Sequence, residues 1–289
     1  MNKQTKAILL MLFSSLCFSA MGVFVKLSGN IPTIEKTFFR NLVSCFIAGG
    51  IILYKKKPFF GSKENMPFLI ARSTLGVLGV ICYFYSIENL VLSDSAMLNK
   101  LSPFFVSIFA YVILKEKFTK IQAPALFCAF AGAIMIIKPQ FNISVFPALV
   151  GLSGAVFAGG AYIAVKFLGS REEFYTIVFF FSFFSTMVLL PFTAMNFTIP
   201  SPAQLLYLAG IGVFAALAQF SMTIAYKLAP AGEISILSYT NVIFSAMLGY
   251  VIWNETADII SIMGYALVIL SATAIYFYNR RASVQKAAA

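Results

Sequence analysis

The chain of 289 residues contains no histidine, only 10 acidic residues and a single tryptophan. Without histidine, the chain lacks the commonest proton relay and metal ligand. It also lacks paired carboxylates and a nucleophile with a nearby base. We therefore predict that it is not an enzyme and that it holds no metal or cofactor. The 4 cysteines lie inside apolar runs without metal-ligand or redox spacing, so they indicate no disulfide.

Charged residues are also scarce in the chain as a whole. They make up 11% of the sequence, whereas 60% of it is apolar. A soluble domain carries about a quarter charged residues, so this composition is typical of a polytopic membrane protein. The net charge of +11 does not indicate a nucleic-acid partner, because the cations cluster in short loops between apolar segments.

Ten apolar segments divide the sequence, and each is long enough to cross the roughly 30 Å hydrocarbon core of a bilayer. Backbone groups in lipid must bond to one another, so each segment is predicted to be a helix. The segments lie near 6–28, 34–54, 66–88, 93–114, 120–138, 145–168, 174–195, 204–227, 232–252 and 258–278. We predict an all-α integral membrane protein with ten transmembrane helices and short connections.

The positions of lysine and arginine predict how these helices are oriented. With the N-terminus inside, fifteen of the 21 cations fall in cytoplasmic segments, among them Lys55, Lys115 and Arg280. Lys26, Lys36 and Lys138 then lie outside. Both termini are therefore predicted to be cytoplasmic.

The two halves of the chain are related by an internal repeat. A shift of 139 residues brings residues 83–117 onto 222–256 without a gap and aligns a shared Tyr-Val-Ile-x-x-Glu sequence. Because five helices is an odd number, the second copy must enter the membrane from the opposite side. We predict two inverted five-helix repeats, residues 1–140 and 141–289, in one membrane domain. Inverted repeats commonly build a pathway that opens alternately to two sides, with a site near the midplane.

Four of the predicted helices carry small or polar residues along one face. These faces are Arg72, Gly76, Gly79, Tyr83 and Ser86; Ser95, Asn99 and Ser102; Gly212, Ala216, Gln219 and Thr223; and Ser238, Asn241 and Ser245. Spacings of three or four residues place each set on one side of its helix. In a membrane protein such faces are expected to face one another or a wet cavity.

Three cations lie within the predicted helices, whereas no acidic residue lies equally deep. Lys100 is about seven residues into its segment, roughly 10 Å from the predicted outer boundary. Arg40 lies at a similar depth, and Arg72 enters from the cytoplasmic side. Embedded cations without matched anions indicate a site for a negatively charged group. The alternatives are that the arginines cap carbonyls or bind lipid phosphates, and that Lys100 snorkels to the surface.

Other residues are candidates for coupling and gating. Glu88 is the nearest carboxylate that could titrate during transport, although it also fits a charge that caps the outer end of its helix. Exchange or facilitated movement is the alternative to proton coupling. Pro103 directly follows a polar face and predicts a kink with a gating role. The aromatic residues best able to line a cavity include Tyr162, Tyr239 and Trp253, and Trp253 is assigned to gating.

One stretch of the sequence matches the pattern of a known family. It contains Ser86, Leu90-x-x-Ser93-Asp94-Ser95-Ala96, Ser102-Pro103-Phe104-Phe105 and a closing Glu116, and it returns in the second half at Glu255. With Arg40 early in the second helix, the chain resembles the ten-helix EamA type of the drug/metabolite transporter superfamily. The resemblance covers nearly the whole chain.

This resemblance implies a basket of helices 1, 3, 4, 6, 8 and 9 around a central cavity, with helices 5 and 10 outside. It also implies a monomer or homodimer in the bacterial inner (cytoplasmic) membrane. Members of the superfamily move amino acids, nucleotide sugars, organic anions and amines. Lys100 occupies a position where they often carry an uncharged, frequently aromatic residue, and this departure favours an anionic or zwitterionic solute.

We therefore predict a secondary transporter, an exporter or exchanger, that moves a small polar metabolite such as an amino acid or organic acid by alternating access. Its predicted substrate-binding residues are Arg40, Arg72, Tyr83, Asn99, Lys100, Ser102, Tyr162, Gln219, Tyr239 and Asn241. Its predicted partners are that solute and membrane lipids. The alternative is a flippase or carrier for an anionic lipid or lipid-linked headgroup.

Overall fold

The computed structural model describes residues 3–115, 120–138, 145–168, 171–228 and 235–288, and in these ranges the chain is helical without a β-strand. The helices are α1 Lys3–Leu27, α2 Thr33–Lys55, α3 Met66–Asn89, α4 Leu92–Asn99, α5 Ser102–Leu114, α6 Gln122–Ile137, α7 Phe146–Leu168, α8 Phe174–Met195, α9 Pro202–Leu228, α10 Thr240–Trp253 and α11 Ile259–Ala288. Short 3-10 helices at Lys63–Asn65 and Ser235–Tyr239 precede α3 and α10. The motif residue Glu116 lies outside the described residues, and so does the side chain of Thr223.

Eight helical stretches of the described chain are long and apolar enough to cross a membrane. One of these stretches combines α4 and α5, and the shorter apolar helices Gln122–Ile137 and Leu237–Trp253 add to them. Each predicted segment coincides with one of these elements, because an uninterrupted apolar run in lipid has to satisfy its backbone internally. The chain is therefore a multi-pass membrane protein.

The fourth predicted span is broken in two. α4 ends at Asn99, where the N–H of Lys100 still bonds to the Ala96 carbonyl at 3.2 Å, and α5 begins at Ser102. Pro103 lies in the first turn of α5, where its missing N–H costs no helical hydrogen bond. The helix is thus interrupted before Pro103, and the proline begins a new helix instead of kinking a continuous one.

At the equivalent place the described second half changes from a 3-10 helix to an α-helix. The 3-10 helix Ser235–Tyr239 leads into α10, although Val242 stands where the first half has Pro103. The hydroxyl of Tyr239 donates a hydrogen bond to the carbonyl of Lys100 at 3.2 Å. These two residues are 139 positions apart in sequence, so the interruption of the first half meets the equivalent position of the second half.

Pairs of long helices cross at small residues. α1 packs along α9, where the Ser14 hydroxyl donates to the Ala218 carbonyl at 2.7 Å. α7 packs along α3, where a Cβ on Gly79 would lie 3.3 Å from the carbonyl oxygen of Gly154. Glycine and alanine allow this close approach of two backbones in a membrane. The 139-residue shift places Gly79 on Ala218, so the two crossings are equivalent in the two halves.

The bundle end at which α1 and α3 finish and α4 begins is named the outer end here, because the charge distribution predicts that it faces outside. Three ion pairs lie at this end: Lys26–Glu255, Lys36–Glu88 and Lys138–Asp258. Nζ of Lys36 is 2.7 Å from Glu88, and Nζ of Lys138 is 2.7 Å from Asp258. Each pair joins two helix ends, so cations and carboxylates fasten the outer end of the bundle.

Candidate functional site

A cavity of about 150 Å³ lies among the helices beside the interrupted fourth span. Its described walls come from α1, α2, α3, α4, α7, α8, α9 and α10, whereas α6 and α11 contribute none of them. The polar residues of these walls are Arg40, Arg72, Tyr83, Asn99, Lys100, Tyr162, Gln219 and Asn241. The arrangement resembles the basket expected from the sequence, with α2 and α8 added to it.

Two of the predicted site residues, Ser102 and Tyr239, lie outside this cavity. Ser102 is buried at the start of α5, where its carbonyl faces Gly159 of α7. Tyr239 is only 7% exposed and packs in the same apolar cluster as Leu101 and Phe104. Its hydroxyl is directed to the Lys100 carbonyl, so Tyr239 holds the main chain of the site and does not face a solute.

Two arginines on different helices share one aromatic ring at the cavity wall. The guanidinium carbon Cζ of Arg72 lies 4.3 Å from the ring centroid of Phe181, and that of Arg40 lies 5.3 Å from it. The Arg72 side chain runs along α3 past Gly76, where a Cβ would collide with the guanidinium and lie 2.8 Å from the Phe181 ring. Glycine at position 76 therefore leaves the room that Arg72 occupies.

These two guanidinium groups are short of hydrogen-bond acceptors. Nε of Arg40 and Nε of Arg72 are buried without a partner among the described residues. Nη1 of Arg40 donates to the side-chain oxygen of Asn41 at 2.7 Å, and that acceptor is neutral. A buried cation is costly unless an anion and further hydrogen bonds compensate it. The contact with Phe181 offsets part of this cost, and an anion in the cavity would offset more.

Lys100 reaches the same cavity from the end of α4. Its Nζ has no hydrogen-bond or ion-pair partner among the described residues, and Asn99 lines the wall beside it. Asp94, on the same helix, is turned toward α11, where the hydroxyl of Tyr265 donates to its Oδ1 at 2.5 Å. Among the described lining residues of the cavity there are thus three cations and no carboxylate.

Asn241 lines the cavity, but its amide already has protein partners. It donates to the hydroxyl of Ser19 at 2.7 Å and to the carbonyl of Ser15 at 3.2 Å, and both residues belong to α1. The hydroxyl of Ser245 joins the same group at 3.1 Å from Ser19. Asn241 and Ser245 therefore link α10 to α1, and the role of Asn241 in orienting a solute stays a prediction.

The predicted coupling and gating residues also lie outside the cavity. Glu88 accepts hydrogen bonds from Nζ of Lys36 and from the hydroxyl of Thr33, each at 2.7 Å, so its carboxylate belongs to the outer end. Trp253 ends α10, and Nζ of Lys26 lies 5.3 Å from the centroid of its ring. Pro103 is exposed at the start of α5. None of these three residues faces the cavity cations.

Phe181 is the important wall residue that the sequence did not reveal. It belongs to the run Phe179–Phe181 of α8, in which three consecutive phenylalanines point in three different directions about 100° apart. A uniform run has no periodicity that separates a lipid-facing ring from a cavity-facing one. The signal that could have directed attention to α8 is the pair of embedded arginines, which need an aromatic or anionic neighbour.

Comparison with known proteins places the chain among transporters. The model of the EamA-like transporter family matches it twice, over residues 5–138 and 145–277. The Pseudopaline exporter CntI of Pseudomonas aeruginosa is 33% identical over 272 residues, which cover 93% of this chain and 95% of the exporter. An uncharacterized transporter of Helicobacter pylori is 25% identical over 274 residues, covering 91% of each chain.

More distant similarities extend to human and to solved structures. Human solute carrier family 35 member G1 is 24% identical over 276 residues, which cover 90% of this chain and 76% of the carrier. A solved crystal structure with 15% sequence identity superposes with a TM-score of 0.69 and covers 96% of this chain, which shows that the fold is shared. The chain therefore belongs to the EamA-like transporter family, and it is a small-molecule transporter rather than an enzyme.

Proposed function

We propose that this transporter is a secondary carrier that moves a small anionic or zwitterionic metabolite, such as an amino acid or organic acid, by alternating access. The observation that carries the proposal is the cavity in which Arg40, Arg72 and Lys100 face one space without a described carboxylate. Cations that a fold buries without an anion are a binding site for an anion that comes and goes. In this proposal the two arginines and Lys100 hold the negative charge of the solute, and Asn99, Gln219, Tyr83 and Tyr162 surround the rest of it.

Alternating access is supported by the relation between the two halves. The crossing of α1 with α9 and the crossing of α7 with α3 are equivalent under the 139-residue shift, and the family model matches the chain twice. We propose that the halves are inverted repeats with both termini in the cytoplasm. Two inverted halves that exchange conformations expose a shared cavity first to one side and then to the other. Opening toward the outside then requires the Lys26–Glu255 pair beside Trp253 to separate.

Export is the proposed direction, and the bacterial inner membrane is the proposed location. The support is the similarity to the Pseudomonas aeruginosa exporter, which spans nearly the full length of both chains. That protein exports pseudopaline; for the present chain we propose only the broader chemical class, an acid or zwitterion small enough for the cavity. No part of this proposal needs a cofactor or a second protein.

The test is transport by the purified protein in liposomes. Radiolabelled aspartate, citrate and glutamate, each loaded on one side, serve as first solutes, and the Lys100→Met variant is compared with the natural protein. Loss of a charged partner from a buried site costs about 2–5 kcal/mol, so uptake by the variant should fall at least about thirtyfold. Unchanged transport by Lys100→Met would remove Lys100 from the site.

Lys57→Met is the matched control, because Lys57 is exposed in the connection after α2. Its transport should equal that of the natural protein, which would assign the loss in Lys100→Met to the cavity and not to the loss of any positive charge. The same liposomes distinguish the alternative function. Competition by soluble acids supports a metabolite carrier, whereas competition by anionic phospholipid with no effect of soluble acids would establish a flippase and overturn the proposal.

A further inference from the structure

The positive charge of the cavity is divided between two places, and this division bears on the solute. One place is formed by Arg40 and Arg72, which contact the same ring of Phe181. The other is formed by Lys100 at the end of α4. We propose that the solute carries at least two acid groups, one bound by the two arginines and one bound by Lys100. This inference rests on the proposed function and specifies its substrate class.

The level of the arginine site along the bundle axis follows from contacts along α3. The guanidinium of Arg72 lies beside Gly76, because a Cβ at Gly76 would collide with its terminal nitrogen. Tyr83 lies seven residues further along the same helix and lines the same cavity. At 1.5 Å per residue, the level of Tyr83 is about 10 Å nearer to the outer end than the level of Gly76.

The height of Lys100 follows from a contact with α7. A Cβ at Gly151 would lie 3.0 Å from Cβ of Ser86 and 3.3 Å from Cδ1 of Leu98, so Leu98 of α4 stands level with Ser86 of α3. α4 starts at the outer end and runs away from it, which brings Lys100 about 3 Å below Leu98. The main chain of Lys100 is therefore level with Tyr83, about 10 Å from the arginine site along the bundle.

The main chain at Lys100 is held where it is. Its carbonyl accepts a hydrogen bond from Tyr239 at 3.2 Å, and its N–H bonds to the carbonyl of Ala96 at 3.2 Å. The flexible part is the side chain, whose ammonium group can move by several ångströms within the cavity. Because the Lys100 main chain is fixed and its ammonium group is mobile, Lys100 can bind a second acid group at a range of distances from the acid group that the arginines bind.

One acid group held between the two arginines lies well away from the main chain of Lys100. A carboxylate measures about 2 Å between its oxygens, whereas the Lys100 main chain and the arginine site stand on levels about 10 Å apart. A solute with a single acid would leave either the arginine pair or Lys100 dehydrated and without an anion, which is the costly state for a buried charge. A solute with two acids compensates both sites, and the planar guanidinium groups favour a carboxylate or phosphate bound by two hydrogen bonds.

The test compares matched acids that differ by one charge. Straight-chain dicarboxylates from butanedioate to octanedioate are each paired with their monoamide, which has nearly the same size and one acid group. Binding to the detergent-purified full chain is measured by isothermal titration and by the rise in melting temperature, since a ligand that binds the folded state raises its stability. At least one dicarboxylate should bind about tenfold or more tightly than its monoamide.

Two variants assign the second acid to its site. In Lys100→Gln the preference for the dicarboxylate should disappear, while the monoamide keeps its affinity because the arginine site is intact. In Arg72→Gln both ligands should weaken. Melting curves without ligand verify that each variant is folded, and Lys57→Gln, at an exposed position, should keep the full preference.

The outcomes separate this inference from the proposed function. Equal affinity for dicarboxylates and monoamides in the natural protein would overturn the two-acid inference and leave an anion carrier. A preference that persists in Lys100→Gln would overturn the assignment of the second acid to Lys100. Failure of all the acids to bind, while neutral solutes or cations bind, would overturn the proposed function together with the inference.

Discussion

The lysines and arginines of this protein occupy two regions that treat positive charge in opposite ways. At the outer end, Lys26, Lys36 and Lys138 each lie against a carboxylate. In the cavity, Arg72 and Lys100 have no described anion near them. The two regions share α1, α2, α3 and α10, whereas the Lys138–Asp258 pair joins α6 to α11, whose described residues do not line the cavity.

This difference distinguishes charges that stabilise the fold from charges that we propose bind a solute. The side chain of Lys36 is fully buried, yet Glu88 and the carbonyl of Gly29 satisfy it within 2.8 Å. Arg72 packs against the ring of Phe181, and its Nε has no described acceptor. We expect substitutions at the outer end to alter folding stability and substitutions in the cavity to alter binding.

The largest effect is predicted for Arg72→Gln. This variant removes one of the two guanidinium groups that hold the first acid, and solute affinity should fall by about 2–5 kcal/mol, which is roughly thirtyfold to several thousandfold. The melting temperature without solute should stay the same or rise, because a dehydrated charge without an anion has been removed. Isothermal titration and thermal denaturation in detergent measure the two quantities.

Arg171→Gln is its control, because Arg171 is exposed in the connection before α8. This change should alter neither binding nor melting. A large fall in melting temperature of Arg72→Gln with unchanged affinity would reverse the comparison and make Arg72 a structural residue.

The next effect is predicted for Lys36→Met. This variant leaves the carboxylate of Glu88 with Thr33 as its described donor and removes the donor to Gly29, and breaking a buried pair is strongly destabilising. Because Glu88 is 20% exposed, we expect a smaller cost than for a fully buried pair, about 2 kcal/mol of unfolding free energy. Affinity of the folded protein for its solute should not change. Chemical denaturation and titration of the remaining folded fraction give both values.

The double variant Lys36→Met with Glu88→Gln makes this prediction sharper. Removing the second charge should restore part of the lost stability, so the two changes should not be additive. If Glu88→Gln alone abolished transport without altering stability, the carboxylate would have the coupling role that the sequence suggested.

The smallest effect is predicted for the exposed pair Lys138–Asp258. Its side chains are 33% and 51% exposed, so Lys138→Met should cost less than about 1 kcal/mol at neutral pH. The hydrogen bond from Lys138 is the main reason why the pKa of the Asp258 carboxyl is lowered. A lowered folded-state pKa stabilises the protein above the ordinary aspartate value near 4, and this contribution is lost as the pH falls through the folded-state pKa.

The melting difference between the natural protein and Lys138→Met should therefore be present near pH 6 and shrink as the pH falls below the ordinary aspartate value near 4. Asp258→Asn should reproduce the loss at neutral pH and show no further effect of Lys138→Met. A difference that widened in acid would mean that the pair does not ionise as described.

Much of the architecture could be predicted from the sequence, because hydropathy and helical spacing are local properties. The face of Arg72, Gly79 and Tyr83 lines the cavity as its spacing of three and four residues indicated. Lys100 lines the same space beside Asn99, whose polar helix face the spacing also indicated. These inferences required only the position of a residue on its own helix.

The rest depended on which helix lies opposite, and spacing along one helix carries no such information. Tyr239 has an apolar body and a polar tip, which suits a solute or a carbonyl equally, and the structure uses it for the carbonyl of Lys100. Glu88 lies at a helix end where only the position of Lys36 decides whether it is paired. The change from a 3-10 helix to an α-helix at Thr240 has no proline to mark it.

The hydrogen bond between Tyr239 and Lys100 has one more consequence. The two residues are repeat partners, so their contact lies where the first half meets its own copy. If the halves exchange conformations as we propose, every contact between unlike positions is replaced by its mirror contact, whereas positions 100 and 239 remain paired with each other. The backbone segments at residues 100 and 239 would then stay close together throughout the transport cycle, while the helices on either side of them move.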